Sequence, residues 1–296
     1  MDFKTELKKY QEQVNNELEK YLRKQDCPER ILNSAMEYSL MAGGKRLRPT
    51  LVLSTYKLFK ENLEVAMPYA ISIEMVHNAS LIHDDLPGID NDNLRHGKPT
   101  NHKQFNEATA ILAGDGLFNY AYIVISSDLL NTENENELKN KIKIFKEFSI
   151  ATDRMLAGEY LDTECEGKNI SNEELKYIHK NKTGAYLRLC ARMGAILGGA
   201  TESQLEKITN YAEKIGLAFQ IKDDILSEVG DEKITGKPVG NDKEKGKCTY
   251  VSEYGLEKSK EILHQITNEA ILELDEFGEK AEFLTNLARY IETRNK

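Results

Sequence analysis

Paired cysteines, clustered histidines and a basic surface are all missing from this chain, and each absence removes a class of function. Its four cysteines, Cys27, Cys165, Cys190 and Cys248, lie far apart with no C-x-x-C pair. That spacing excludes a zinc ribbon and a disulfide framework, and points to reduced thiols. With 40 Lys and Arg against 49 Asp and Glu, the formal net charge is −9, so the broad basic face that holds nucleic acid is lacking. The N-terminal MDFKTELKKYQEQVNNELEKYL alternates charges and has no apolar h-region, so it does not read as a secretory signal. No apolar run is read as long enough to span a membrane. A soluble, cytoplasmic protein is expected.

Strand signals are scarce too, and no Pro/Ser-rich linker or low-complexity tract divides the chain. What recurs is helical periodicity, over 4–24, 29–41, 49–60, 64–86, 106–130, 136–163, 171–197 and 201–228, with two more helices after 255. Ser171 with Glu174, and Thr201 with Gln204, fit capping boxes, and Gly198-Gly199 stops the helix between them. The fold class expected is all-α: one domain over 1–296, a large helical bundle around a central substrate cavity.

Three segments interrupt the helices with glycine and charge together: GGKRLRP (43–49), PGIDNDNLRHGKP (87–99) and VGDEKITGKPVGNDKEKGK (229–247). Beside them, LIHDDLPGID puts Asp84 and Asp85 at the end of an apolar helix with Asp90 just beyond, and QIKDDIL ends another with Asp223 and Asp224. Adjacent carboxylates repel and are costly to desolvate, so a pair ending an apolar helix wants a cation. One such pair arises easily by chance as a solvated helix end; two, each after a long apolar stretch, are harder to dismiss. Oxygen-only donors indicate Mg²⁺ or Mn²⁺, with substrate phosphates completing the shell. His83-Asp84 read as a phosphohydrolase dyad would need further histidines upstream, and none precedes His77. The basic residues form small sets suited to phosphate: Lys45, Arg46 and Arg48 after two glycines, Lys182-Thr183 before Gly184, and Lys237 in a glycine-rich loop. Acidic and basic sets together imply a substrate carrying diphosphate.

GGKRLRP, SLIHDDLPGIDNDNLRHGKPTNH, AILAGDG, HKNKTGA, and LAFQIKDDIL with GKPVG, in this order, resemble the all-trans isoprenyl diphosphate synthases, most closely the bacterial farnesyl and the bacterial and plant geranylgeranyl branch. The likeness runs from about residue 30 to the terminal RNK. It implies the isoprenoid synthase fold, a homodimer, two aspartate motifs facing a central cavity, and Mg²⁺-assisted condensation of isopentenyl diphosphate with dimethylallyl, geranyl or farnesyl diphosphate. By the same resemblance, Asp84, Asp90 and Asp223 are metal ligands, with Asp85 and Asp224 alongside. Arg95, Lys182, Thr183, Gln220 and Lys237 match contacts to the allylic substrate, and Lys45, Arg48 and His77 match the isopentenyl diphosphate pocket.

Four positions depart from the family pattern. His96 stands for the second arginine after the first motif, and is expected to weaken isopentenyl diphosphate binding because it is only partly charged near neutrality. Ser227 replaces a third aspartate, Lys222 precedes Asp223 where glutamine is common, and Glu159 also stands for a glutamine. Ala79, five positions before Asp84, replaces the aromatic residue that floors the cavity in farnesyl-making bacterial members. This favours a twenty-carbon product narrowly over a fifteen-carbon one. His96 and Ser227 also motivate a rival reading, a weakly active or non-catalytic partner subunit. The intact Asp84, Asp85 and Asp90 speak against it.

Overall fold

The computed structural model describes residues 2–22, 26–165, 167–168, 170–229 and 249–295. The chain divides into two units, Met1–Leu53 with Glu61–Ile142, and Ser54–Lys60 with Lys143–Lys296. Nearly every described element is helical, as the periodicity predicts.

The first unit carries α1 (Phe3–Lys20), α2 (Arg30–Leu40), the start of α3 (Leu47–Lys57), α4 (Met67–Asp84), the short α5 (Asn101–Gln104), α6 (Glu107–Leu130) and the start of α7 (Glu135–Glu164). α4 is its axis, packed by α1, α2 and α6. Residues Tyr69 to Val76 of α4 are buried without a break, as expected of a helix apolar on every side. α6 approaches α4 closely because Gly114 has no side chain: a Cβ there would lie 2.1 Å from His83 Nε2. His83 instead sits against the Ile111 carbonyl at 3.0 Å, an ordinary packing role that leaves no phosphohydrolase dyad.

The membrane-span reading needs revising at α6, which by length and composition alone is apolar enough to cross a membrane. One stripe of it, including Ala113, Leu117, Ala121 and Ile125, is buried in this unit. Ile111, Leu112, Ile123 and Leu130 remain exposed, Leu130 by 88%.

A two-stranded hairpin, β1 (Leu94–Arg95) with β2 (Lys98–Pro99), interrupts the helical pattern. His96 and Gly97 form its turn with φ of 53° and 76°, the paired left-handed conformations of a type I′ turn. Four strand residues are too few to produce an alternating pattern, so periodicity alone does not reveal them.

The second unit holds the rest of α7, then α8 (Asn172–His179), a π-helical turn (Lys180–Gly184), α9 (Ala185–Gly198), α10 (Glu202–Val229), α11 (Tyr250–Tyr254), α12 (Leu256–Leu272) and α13 (Glu282–Thr293). α10 is the axis here, with α9, α11, α12 and α13 against it. Both capping boxes form: Ser171 with Glu174, and Thr201 with Gln204 through bonds of 3.0 and 3.2 Å. Gly199 ends α9 at φ 86°, the left-handed cap that glycine adopts most easily. The single helix expected over 171–197 is divided by the π-turn, where the Ala185 N–H reaches the Lys180 carbonyl. Such turns accommodate one extra residue and recur at functional sites.

Candidate active site

In the first unit, α4 ends at Asp84 and Asp85 caps it. The Pro87-Gly88 break then returns the chain, and the Asp90 N–H donates to the Asp84 carbonyl at 2.8 Å. Asp84 and Asp90 are thereby fixed at one helix end, both half-buried. Asp85 is turned inward, 3% exposed, and accepts from Arg95 Nε at 3.1 and 3.3 Å and from its Nη2. Burial works against the Arg95 charge, but the bond to Asp85 and the charges of Asp85, Asp92 and Asp84 hold its pKa above the usual arginine value. The Asp85–Arg95 pair therefore ties the hairpin to the helix end.

Behind the glycines at 43 and 44, both at positive φ, the three basic residues divide into two roles. Arg46 is not a phosphate contact. It is 3% exposed and donates to Glu74 Oε1 at 2.5 Å, Asn15 Oδ1 at 2.9 Å and the Leu40 carbonyl at 2.7 Å, joining α1, α2 and α4. A buried charge is tolerated because every partner is supplied. Lys45 and Arg48 are half-buried, and Arg48 lies 3.3 Å from His77 Nε2. Burial, then Arg48, Arg46, Arg95 and His96, push the His77 pKa well below its usual range, which favours the neutral imidazole. His96 belongs to the same neighbourhood, since a Cβ on Gly44 would meet its ring at 3.5 Å. Its pKa is also lowered, first by burial and then by Arg95 and Arg46.

In the second unit, α10 presents Gln220, Asp223 and Ser227 half-buried on successive turns. Asp224 is buried and accepts from the Tyr250 N–H at 2.8 Å, fastening α11 to α10. Asp223 accepts from Arg294 Nη2, a contact that sequence reasoning missed because spacing says nothing about where a terminal RNK returns. Arg294 also donates to the Phe219 carbonyl at 3.3 Å and lies 4.2 Å above the Phe219 ring. Burial, then Arg294, lower the Lys222 pKa.

Lys182 and Thr183 sit in the π-turn, and Thr183 is buried. Lys182 Nζ donates to Glu159 at 2.9 Å and Asp162 at 2.6 Å, so the glutamate that departs from the family pattern is one of its counter-ions. Two glycines let neighbouring helices approach this turn. A Cβ on Gly158 would lie 2.3 Å from the Lys182 backbone nitrogen, and one on Gly216 would lie 3.3 Å from Gly184 Cα. Lys237 lies outside the described residues.

Among the described residues no group of three or more His, Cys, Asp or Glu is arranged to hold a metal ion. Each motif offers one or two carboxylates, a donor set that fits Mg²⁺ when phosphate oxygens supply the remaining ligands.

The sequence profile of the polyprenyl synthetase family matches residues 29–285. A farnesyl diphosphate synthase of Geobacillus stearothermophilus is 44% identical over 87% of this chain and 86% of its own length. The chloroplastic geranylgeranyl pyrophosphate synthase of Capsicum annuum is 43% identical over 90% of this chain and 72% of its own. An FPP/GFPP synthase structure from Zymomonas mobilis superposes with a TM-score of 0.87 at 34% identity, covering 98% of this chain and 99% of that one. The all-α architecture is that of the isoprenyl diphosphate synthases. The chain belongs to the polyprenyl synthetase family.

Proposed function

We propose that this chain is a short-chain trans-prenyltransferase that condenses isopentenyl diphosphate with dimethylallyl and geranyl diphosphate, and continues to geranylgeranyl diphosphate. The observation that carries this reading is the match over most of the chain to farnesyl and geranylgeranyl diphosphate synthases, with the aspartates and basic residues of both motifs present. A non-catalytic partner role is not favoured.

Asp84 and Asp90 from one motif and Asp223 from the other would hold Mg²⁺. Bound Mg²⁺ would stabilise the negative charge that grows on the leaving diphosphate. Lys182, Thr183, Gln220, Lys237 and Arg95 would bind the allylic diphosphate, while Lys45, Arg48 and neutral His77 would orient the isopentenyl group. Ionisation of the allylic C–O bond, attack by the isopentenyl double bond and loss of a proton follow. No protein base is needed, because the released diphosphate can accept that proton. Asp85 and Asp224 act at one remove, the first by orienting Arg95 and the second by holding α11. Arg294 competes with the metal for Asp223 and must release it.

The reading takes residues 1–296 as one catalytic domain, cytoplasmic and working as a homodimer. The exposed apolar residues of α6 support a second copy. Its test is Asp84→Ala, which should lower turnover at least a thousandfold while leaving the helical circular dichroism and the thermal midpoint within a few degrees of the parent. Full turnover by the variant would refute the role given to the first motif.

A further inference from the structure

The second unit contains a cavity of about 840 Å³ that none of the roles above uses, bounded by α7, α8, the π-turn, α9, α10 and Tyr250. Its size falls within the roughly 300–1,000 Å³ of small-molecule sites. Four features of its lining bear on what it would take. The wall is mixed: charged and polar side chains make up half of it, and its accessible apolar part is Ile150, Tyr177 and Leu217. The lining acids are already neutralised: Glu147 accepts from Arg192 at 2.7 and 2.8 Å, and Glu213 from Arg188 at 2.9 Å. Lys176 and Lys180 on the rim have no acidic partner among the described residues. A polar atom is also stranded there, since His179 Nδ1 is buried without a hydrogen-bond partner, and buried polar atoms normally have one.

We propose that this cavity is a second ligand site, for an amphipathic organic phosphate, acting on the catalytic site through the π-turn. An apolar tail would lie along Ile150, Tyr177 and Leu217, and an anionic head would meet Lys176 and Lys180. Lys180, Asn181 and Gly184 line the cavity, while Lys182 and Thr183 of the same turn belong to the proposed allylic contacts. Three residues of this five-residue turn thus face the cavity, and the other two belong to the proposed catalytic set. A head group bonded to Lys180 pulls on a turn that carries Lys182 and weakens its hold on the allylic diphosphate. The coupling rests on the proposed prenyltransferase reading; the binding does not.

Dodecyl phosphate, below its micelle concentration, is a suitable probe by calorimetry on the full chain, with Mg²⁺ and inorganic diphosphate saturating the catalytic site. One site per chain is expected, with affinity falling at least tenfold in the Lys176→Glu, Lys180→Glu double variant and no comparable site for inorganic phosphate alone. In turnover assays the probe should raise the KM for the allylic substrate at least threefold in the parent and not in the variant. Equal binding by parent and variant would overturn the site, as would binding only to vesicles of anionic phospholipid. Binding without any change in KM would overturn the coupling. If the chain showed no prenyltransferase activity, the calorimetric result would still decide the site.

Discussion

His96 shows how one residue can satisfy a backbone requirement at the expense of a charge. It occupies a left-handed turn position, where histidine is enriched among non-glycine residues, and its pKa is lowered by burial and by Arg95 and Arg46, with Lys45 adding to the effect and Glu74 opposing it. The sign follows: a lowered pKa leaves the ring neutral at pH 7.5 and charges it only below its ordinary value near 6.5. His96→Arg should therefore lower the KM for isopentenyl diphosphate at pH 7.5 by about fivefold, roughly 1 kcal/mol of a half-exposed charged contact, with the gap narrowing below pH 6. His96→Gln, which cannot charge, should remove the acid-side recovery. Equal constants for all three across this range would show that residue 96 does not face the substrate.

Ala79 works through volume instead. It is fully buried on α4, and a growing chain that starts from a diphosphate at Asp84 would run back past it. Ala79→Tyr should shift the main product from twenty to fifteen carbons with the first condensation little changed. Overpacking costs about 1–3 kcal/mol where no space exists, so the thermal midpoint should be read alongside. Identical product chromatograms from parent and variant would mean that other residues, Met75 and Val76 among them, already close the floor.

At the scale of elements, the π-turn is where packing and chemistry meet. Gly158 lets α7 touch the backbone at Lys182, and that backbone cannot yield as a flexible side chain would. Gly158→Ala should cost about 1–3 kcal/mol of stability and raise the KM for the allylic substrate more than that for isopentenyl diphosphate. Equal increases in both constants would indicate general loosening. Helix caps and the aspartates closing α4 were legible in the sequence because they depend on local rules: Ser171, Thr201 and Gly199 behave as their residue types predict, whereas QIKDDIL, read as a helix end, lies inside α10, which runs on to Val229. The π-turn, the Arg46–Glu74 anchor and the Arg294–Asp223 contact were not. Each depends on which segments meet in three dimensions, and neither a lysine's surroundings nor an arginine's burial has a periodicity.

For the whole molecule, the division of labour is between two axial helices: α4, which ends at Asp84, and α10, which carries Asp223 and Asp224 in its last turns, each beside locally held basic residues. That repeated design supports a metal-assisted, diphosphate-releasing reaction better than it supports binding alone. The most direct measurement is incorporation of radiolabelled isopentenyl diphosphate into butanol-extractable product after dephosphorylation, with dimethylallyl diphosphate as the starter. The account predicts product in millimolar Mg²⁺, mainly of twenty carbons, and its loss in excess chelator with recovery when Mg²⁺ is restored. The same yield with chelator present, or no condensation under any metal condition, would contradict it.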